Sequence, residues 1–338
     1  MTENRRIVLA SRPQGAPTSA NFRLETAPMP QPGEGQILLK TLFLSLDPYM
    51  RGRMNDTASY AAPVGIGEVM TGEVVGRVEA SRAAGFAPGD LVAGRTGWQE
   101  WAIGDAGVVR KLAETGSPPS TALGVLGMPS MTAWVGMHNI GQPKAGETVV
   151  VAAASGPVGS MVGQIAKLRG ARAVGIAGGA DKCAYVTGEL GFDACVDHRD
   201  PALGELLAQA CPKGIDVYFE NVNGAVWDAV FPLLNPFARV PVCGLVANYN
   251  MTDLPPGPDR TALLFRAALT KRLRIQGFLV YDFADQEGDF IREIAPLVKS
   301  GAIKHREDIS QGLASAPETF IGMLTGGNFG KTLVHVAD

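Results

Sequence analysis

One stretch, Val149 to Lys182 (VVVAAASGPVGSMVGQIAKLRGARAVGIAGGADK), constrains the fold more than any other. The apolar run Val149 to Ala154 reads as a strand, and Ser155-Gly156-Pro157 ends it. Val158, Val162, Ile165 and Leu168 then recur at helical spacing, so one face of the next segment is apolar. A second strand over Arg172 to Ile176 completes a strand, turn, helix and strand, the unit that grips a dinucleotide. Gly156, Gly159 and Gly163 lie in a G-x-x-G-x-x-x-G spacing, and Ala154 stands where the first glycine of the commoner G-x-G-x-x-G would be. Glycines let the backbone come close to a pyrophosphate, and the helix start offers free N–H groups and the positive end of its dipole. Such a turn also joins strand to helix for packing alone. The readable strand, helix and second strand around it favour a dinucleotide site over a structural turn or a mononucleotide site.

At 338 residues the chain has room for about two domains, each with its own core. With 46% hydrophobic and 19% charged residues it reads as an ordinary globular protein. A formal charge of -3 without a Lys/Arg cluster leaves no electrostatic footprint for nucleic acid. The four cysteines, Cys183, Cys195, Cys211 and Cys243, show no C-x-x-C spacing and read as reduced thiols of a cytoplasmic protein. Near the N-terminus, the apolar run Ile7 to Ala10 is too short for a signal peptide. Thr148 to Ala166 carries no charge, but Ser155-Gly156-Pro157 divides it, so no membrane span is expected.

Residues 1 to about 125 hold short alternating runs with frequent Pro and Gly, which predicts a mostly antiparallel β domain. Thr115 to Pro143, free of acidic and basic side chains and with four prolines, reads as a packed joint. From about Glu147 strands and helices alternate. Helices are expected over Asp181–Leu190, Pro201–Ala210, Ala225–Leu234 and Asp285–Ser300, and strands over Ala194–Asp197, Asp216–Glu220, Arg239–Val246 and Arg274–Val280. This predicts an α/β fold, a doubly wound parallel sheet with helices on both faces. The closing stretch LTGGNFGKTLVHV is again turn and strand, able to return to the first domain.

Several ordered phrases resemble a known family. LSLDPYMRGRM (Leu44 to Met54), GMPSMTAW (Gly127 to Trp134), the glycine turn, YFENVNG (Tyr218 to Gly224), CGLVANYN (Cys243 to Asn250), GFLVYDF (Gly277 to Phe283) and GGNFGK (Gly326 to Lys331) are similar to the zinc-free branch of the medium-chain dehydrogenase/reductases. That branch holds the leukotriene B4 dehydrogenase/prostaglandin reductases, plant double-bond reductases and curcumin-reductase-like enzymes. The resemblance covers essentially the whole chain. It implies a GroES-like, mostly β catalytic domain over 1–125, completed by 301–338, and a Rossmann dinucleotide-binding domain over 126–300. The residues agree with the zinc-free branch: no cysteine precedes position 183 and the first histidine is His138, so residues 1–125 offer no soft or imidazole ligand for a catalytic metal.

The second strand runs into Gly178-Gly179 without the acid that NAD-preferring folds use on the ribose. The resemblance implies NADP(H), with Lys182 on the adenosine 2′-phosphate, a role that suits a point-charge ammonium. Where the family has a tyrosine after the third strand this chain has His198, which either meets the 2′-phosphate side or is an exposed loop residue. The resemblance further implies cofactor contacts at Gly156, Pro157, Val158, Gly159, Gly178, Asn221, Cys243, Gly244, Tyr249, Phe278, Leu279, Val280 and Asn328. It places Met128 and Thr132 near the nicotinamide. Packing at strand ends is the alternative for Cys243 and Val280, and helix packing for Met128.

For activity, the resemblance implies NADPH-dependent reduction of a C=C bond conjugated to a ketone or aldehyde, with Tyr249 as the catalytic hydrogen-bond donor to the enolate. A phenol donates at neutral pH without help from a metal. Tyr49 is expected in the substrate pocket, and Asp47 and Arg51 in the same phrase are expected to pair and shape the loop. Trp134, where the family often has tyrosine, is expected to narrow or reshape the pocket. The loop Asn250 to Arg260 bears on substrate choice. Quinone reduction, and dinucleotide binding without turnover, are the alternatives. The family is usually dimeric through its nucleotide domain, so a homodimer is expected.

Overall fold

The protein, seen in a computed structural model, is described over residues 3–113, 116–253 and 257–338. It divides into two compact units: Met1–Gly124 with Asn250–Thr252 and Glu307–Asp338, and Val125–Tyr249 with Asp253–Arg306.

The second unit is built on six parallel strands: β1 (Thr148–Ala152), β2 (Arg172–Ala177), β3 (Ala194–Asp197), β4 (Ile215–Phe219), β5 (Leu234–Val242) and β6 (Arg274–Gly277). Their spatial order is β3-β2-β1-β4-β5-β6, the Rossmann arrangement. Burial on both faces explains the unbroken apolar run of β1. Val149 and Val151 pack into one cluster with Met161, Val162 and Ile165, while Val150 and Ala152 pack into another with Leu207, Val226 and Val230. Alternate side chains point to opposite faces, and helices cover both.

The first helix after β1, Pro157–Leu168, begins where the sequence places it, with proline in its first turn and Gly156 as N-cap. Two glycines let it lie close. A methyl group on Gly159 would stand 2.4 Å from the Ala153 carbonyl oxygen, and one on Gly163 would stand 1.7 Å from the Phe192 ring. Leu168, expected on the apolar face, is instead exposed.

Other elements differ from expectation for local reasons. The helix from Ala225 stops at Val230, because Pro232 tightens the chain into a 3-10 turn over Phe231–Leu233. Strand β5 then starts at Leu234 rather than Arg239 and ends at Val242 rather than Val246, carrying Pro236 past a register shift against β4. Strand β6 ends at Gly277, short of Val280. A helix over Thr261–Lys271 has no buried residue, so it lacked the apolar stripe by which a sequence reveals a helix.

The first unit is mostly antiparallel. Its strand Gln36–Ser45 pairs with Val74–Ser81, Trp101–Asp105 and Lys331–His335, so the last strand of the chain completes a sheet begun by the first third. Trp98 is fully buried there, stacked on Phe22 at 5.6 Å and edge-on to Phe320 at 5.6 Å. Phe320 lies on a helix over Ala316–Leu324, outside the expected helices.

The closeness of Gly163 to Phe192 has a measurable consequence. Gly163→Ala is expected to destabilise the second unit by about 1–3 kcal/mol through overpacking, despite alanine's better helix propensity. Denaturant unfolding checks it; a wild-type midpoint would contradict so close a contact.

Candidate functional site

In the second unit, β1 and β4 are neighbours whose onward connections run to opposite sides, so their carboxyl ends, Ala152 and Phe219, flank the switch point at which doubly wound sheets take ligands. The helix Pro157–Leu168 begins there, behind Ala153 at φ 53°. Its first-turn N–H groups and dipole suit a pyrophosphate.

To one side, β2 gives way to Gly178 and Gly179, the latter at φ 94° as N-cap of the helix Ala180–Gly188. A methyl group on Gly178 would come within 2.8 Å of His198 Nε2 and 3.2 Å of Arg199 Nε, and one on Gly179 within 3.4 Å of Arg199 Nη1. The side chains that follow β3 therefore reach over the turn that follows β2. Lys182 lies in the first turn of the helix beyond. Asp197, the last residue of β3, accepts the N–H of Arg199 at 2.9 Å and that of Gly179, which holds its carboxyl below the usual range. That acid is engaged with backbone. Arg199 was missed at the sequence level, although the pair His198-Arg199 after a short strand was its visible signal.

On the other side, β5 ends at Val242 and the chain passes through Cys243 and Gly244 to Tyr249. A methyl group on Gly244 would stand 3.2 Å from the Tyr249 hydroxyl and 3.6 Å from the Asn221 carbonyl oxygen. Phenol, glycine and the start of the turn after β4 thus gather at adjacent strand ends. The Asn221 side chain donates to the Ala152 carbonyl at 3.0 Å, tying this turn to β1. Burial, and next the Glu220 charge, push the Cys243 thiol up to about 12, so it is a neutral packing group.

Several of the residues expected at the cofactor have partners within the protein. Thr132 donates its hydroxyl to the Met128 carbonyl at 2.8 Å, one turn back in the helix Met128–Val135. The Phe278 ring packs edge-on to Phe219 at 6.1 Å. Leu279 donates its N–H to Asp282, at the head of the 3-10 helix Val280–Gln286. Trp134, expected to narrow or reshape the pocket, is held by contacts within the protein. It is 3% exposed, stacked on His138, with its indole N–H bonded to Glu293 at 2.8 Å.

In the first unit, Tyr49 opens the short helix Tyr49–Arg53 and is half-buried. Burial, with the charges of Asp47 and Glu73, pushes its phenol well above the usual value, so it is a neutral donor. The expected Asp47–Arg51 pair does not form. Asp47 instead meets Lys331 at 2.6 Å and accepts from the Ser45 hydroxyl, all three groups buried. Arg51 donates to Asn55, to the Gly15 carbonyl and to Asn250 at 2.6, 2.7 and 3.1 Å. Arg53 lies 4.4 Å from the Tyr60 ring centre. Asn328 turns its amide to the Gly330 carbonyl at 3.0 Å. Of the loop Asn250 to Arg260, residues 254–256 lie outside the described residues.

Among the described residues no group of three or more His, Cys, Asp or Glu could hold a metal ion, and no helix is long and apolar enough to cross a membrane. Residues 5–112 match a family described as N-terminal domain of oxidoreductase, and residues 157–296 one described as zinc-binding dehydrogenase. The chain is 56% identical over 335 residues to the NADPH-dependent curcumin reductase of Escherichia coli, covering 99% of this chain and 97% of that one. It is 37% identical over 340 residues to the NADP-dependent 2-alkenal reductase of Nicotiana tabacum, covering 99% and 98%. Its fold superposes on the crystal structure of CurA from Vibrio vulnificus in complex with NADPH with a TM-score of 0.96, at 53% identity and covering 99% of each chain.

Proposed function

The chain belongs to the zinc-free branch of the medium-chain dehydrogenase/reductases, the branch of the prostaglandin, 2-alkenal and curcumin reductases, and from that premise we propose that it reduces the C=C bond of α,β-unsaturated ketones or aldehydes with NADPH. The observation that carries this reading is the Tyr249 hydroxyl lying over Gly244, beside the turn after β4, at the switch point of the sheet.

The residues fit a 2′-phosphorylated dinucleotide. The helix start at Gly156-Pro157 suits the pyrophosphate. Lys182, His198 and Arg199 around Gly178-Gly179 suit the 2′-phosphate, where an unengaged acid would repel it. Arg199 adds a planar fork of donors to the point charge of Lys182.

Reduction of an enone needs a hydride at the β-carbon, a proton at the α-carbon and support for the enolate between them. NADPH, when bound, supplies the hydride. The Tyr249 phenol donates a hydrogen bond to the substrate carbonyl oxygen, and that bond strengthens as negative charge grows there. Gly244, lacking a side chain, leaves the hydroxyl its place. Asn221, held by the Ala152 carbonyl, keeps the neighbouring turn in register with β1.

We further propose a homodimer formed through the second unit. Among the described residues strand β6 ends the sheet with one edge unpaired, and the helix before it exposes Leu263, Phe265 and Leu269 by 57, 69 and 78%. An open strand edge beside large exposed apolar groups suits a second copy of the same surface.

Purified protein mixed with NADPH and a simple enone should consume the cofactor's absorbance. Tyr249→Phe should lower kcat by about 10- to 1000-fold, the range set by loss of one oxyanion donor. No turnover on enones, enals or quinones would defeat the proposal, and an unchanged rate would remove the tyrosine's role. Arg199→Ala is expected to weaken NADPH binding about tenfold or more while changing NADH little, by loss of a charge-assisted contact. Calorimetric titration with both cofactors measures it, and equal weakening would exclude the phosphate contact. Light scattering should give twice the chain mass, and Leu269→Glu should yield monomers; a monomeric wild type would refute the dimer.

A further inference from the structure

Glu220 takes no part in the scheme above, yet two backbone amides and a phenol converge on its carboxylate. It follows β4 directly and is 3% exposed. Its Oε1 accepts three hydrogen bonds: from the Tyr218 hydroxyl at 2.9 Å, the Val222 N–H at 2.7 Å and the Asn223 N–H at 2.8 Å. Burial raises its pKa, while these donors pull it down. A buried carboxylate is stable only when its acceptors are filled, so this one gathers donors around itself.

The turn that it gathers is in turn joined to the loop that bears Tyr249. The Glu220 carbonyl accepts the N–H groups of Cys243 and Gly244 at 2.9 and 3.2 Å. The Asn221 carbonyl accepts from Val246 at 3.1 Å, and that of Val222 from Ala247 at 3.0 Å. The Asn223 side chain donates to that of Asn248 at 3.2 Å, and Tyr249 donates its N–H to Val246 at 3.3 Å. Asn223 stands at φ 70°, in the left-handed region that asparagine enters more readily than most non-glycine residues. The Glu220 carboxylate binds its N–H in that conformation.

We propose that Glu220 is a positioning residue for the reaction: by binding the amides of the turn after β4, it sets the loop 243–249 and so the height of the Tyr249 hydroxyl above Gly244. The inference rests on the enolate role of Tyr249 proposed above. It separates two kinds of residue at the switch point, the phenol that meets substrate and the buried anion that determines where the phenol stands.

The test is a double-mutant cycle read in kcat at saturating enone and NADPH. Glu220→Ala should lower kcat by about tenfold or more, the scale on which small misplacements act. Glu220→Gln, whose Oε1 accepts the same three bonds, should stay within about threefold of wild type, as hydrogen bonding rather than charge sets the geometry. In the Tyr249→Phe background Glu220→Ala should cost almost nothing more, because two residues acting as one unit are not additive. A purely structural role predicts that the losses multiply, and that result would overturn the proposal, as would wild-type kcat in Glu220→Ala. Should Glu220→Ala not fold, Glu220→Asp, which withdraws the carboxylate by one methylene, carries the same cycle and the same criterion. If Tyr249→Phe alone leaves kcat unchanged, the role of Tyr249 fails and that of Glu220 with it, an outcome distinct from multiplied losses.

Discussion

Double-sided burial of the central strand is the constraint on which the second unit depends. Every residue of β1 from Val149 to Ala152 is almost inaccessible, with alternate side chains entering two separate clusters. Such a strand has no solvent side on which to carry a functional group. Chemistry is therefore displaced to its carboxyl end, where the backbone leaves the sheet and the next helix must start. Close packing then dictates where that helix starts. With hydrogens at positions 159 and 163 the helix approaches the turn and Phe192; with methyl groups it could not.

The glycines consequently carry a meaning other than the one that their spacing suggests. Read as letters, Gly156, Gly159 and Gly163 form a fingerprint for a phosphate. In space, Gly159 faces the Ala153 carbonyl and Gly163 faces an aromatic ring, so packing requires both directly. Gly156, the N-cap, is the one of the three that stands at the helix mouth. The fingerprint predicts a dinucleotide fold because that fold needs a close helix; the ligand benefits from the same proximity.

What the sequence made legible was local: the apolar run of β1, the proline and glycine at the helix start, the missing acid after β2 and a tyrosine after β5. What it hid was contact between distant segments. Nothing near Asp47 announces that its partner is Lys331, 284 positions away, while Arg51, four residues on, offered a plausible and wrong one. A buried lysine with a carboxylate at 2.6 Å and the Leu46 carbonyl at 3.0 Å has its donors aimed at fixed acceptors, a match settled by folding of the whole unit. The exposed helix Thr261–Lys271 was hidden for the opposite reason. None of its residues is fully buried, and its largest apolar side chains, Leu263, Phe265 and Leu269, are exposed.

Arg199 and Glu220 show why site residues differ in legibility. Lys182 and Tyr249 could be named because the phrases around them resemble a known family, in which ligand chemistry restricts which residue types serve. Glu220 meets other parts of the protein. An acidic residue beside YF and before NVNG gives no hint that its carboxylate will collect two backbone amides and a phenol. Its effect lies in the left-handed turn at Asn223 and in the pairing of 221–223 with 246–248. The side chains that touch a ligand and those that hold them in place therefore follow different rules. The first are selected by type and position along the chain, the second by which orphaned donors the fold leaves behind a strand end, and those can be counted only once the fold is known.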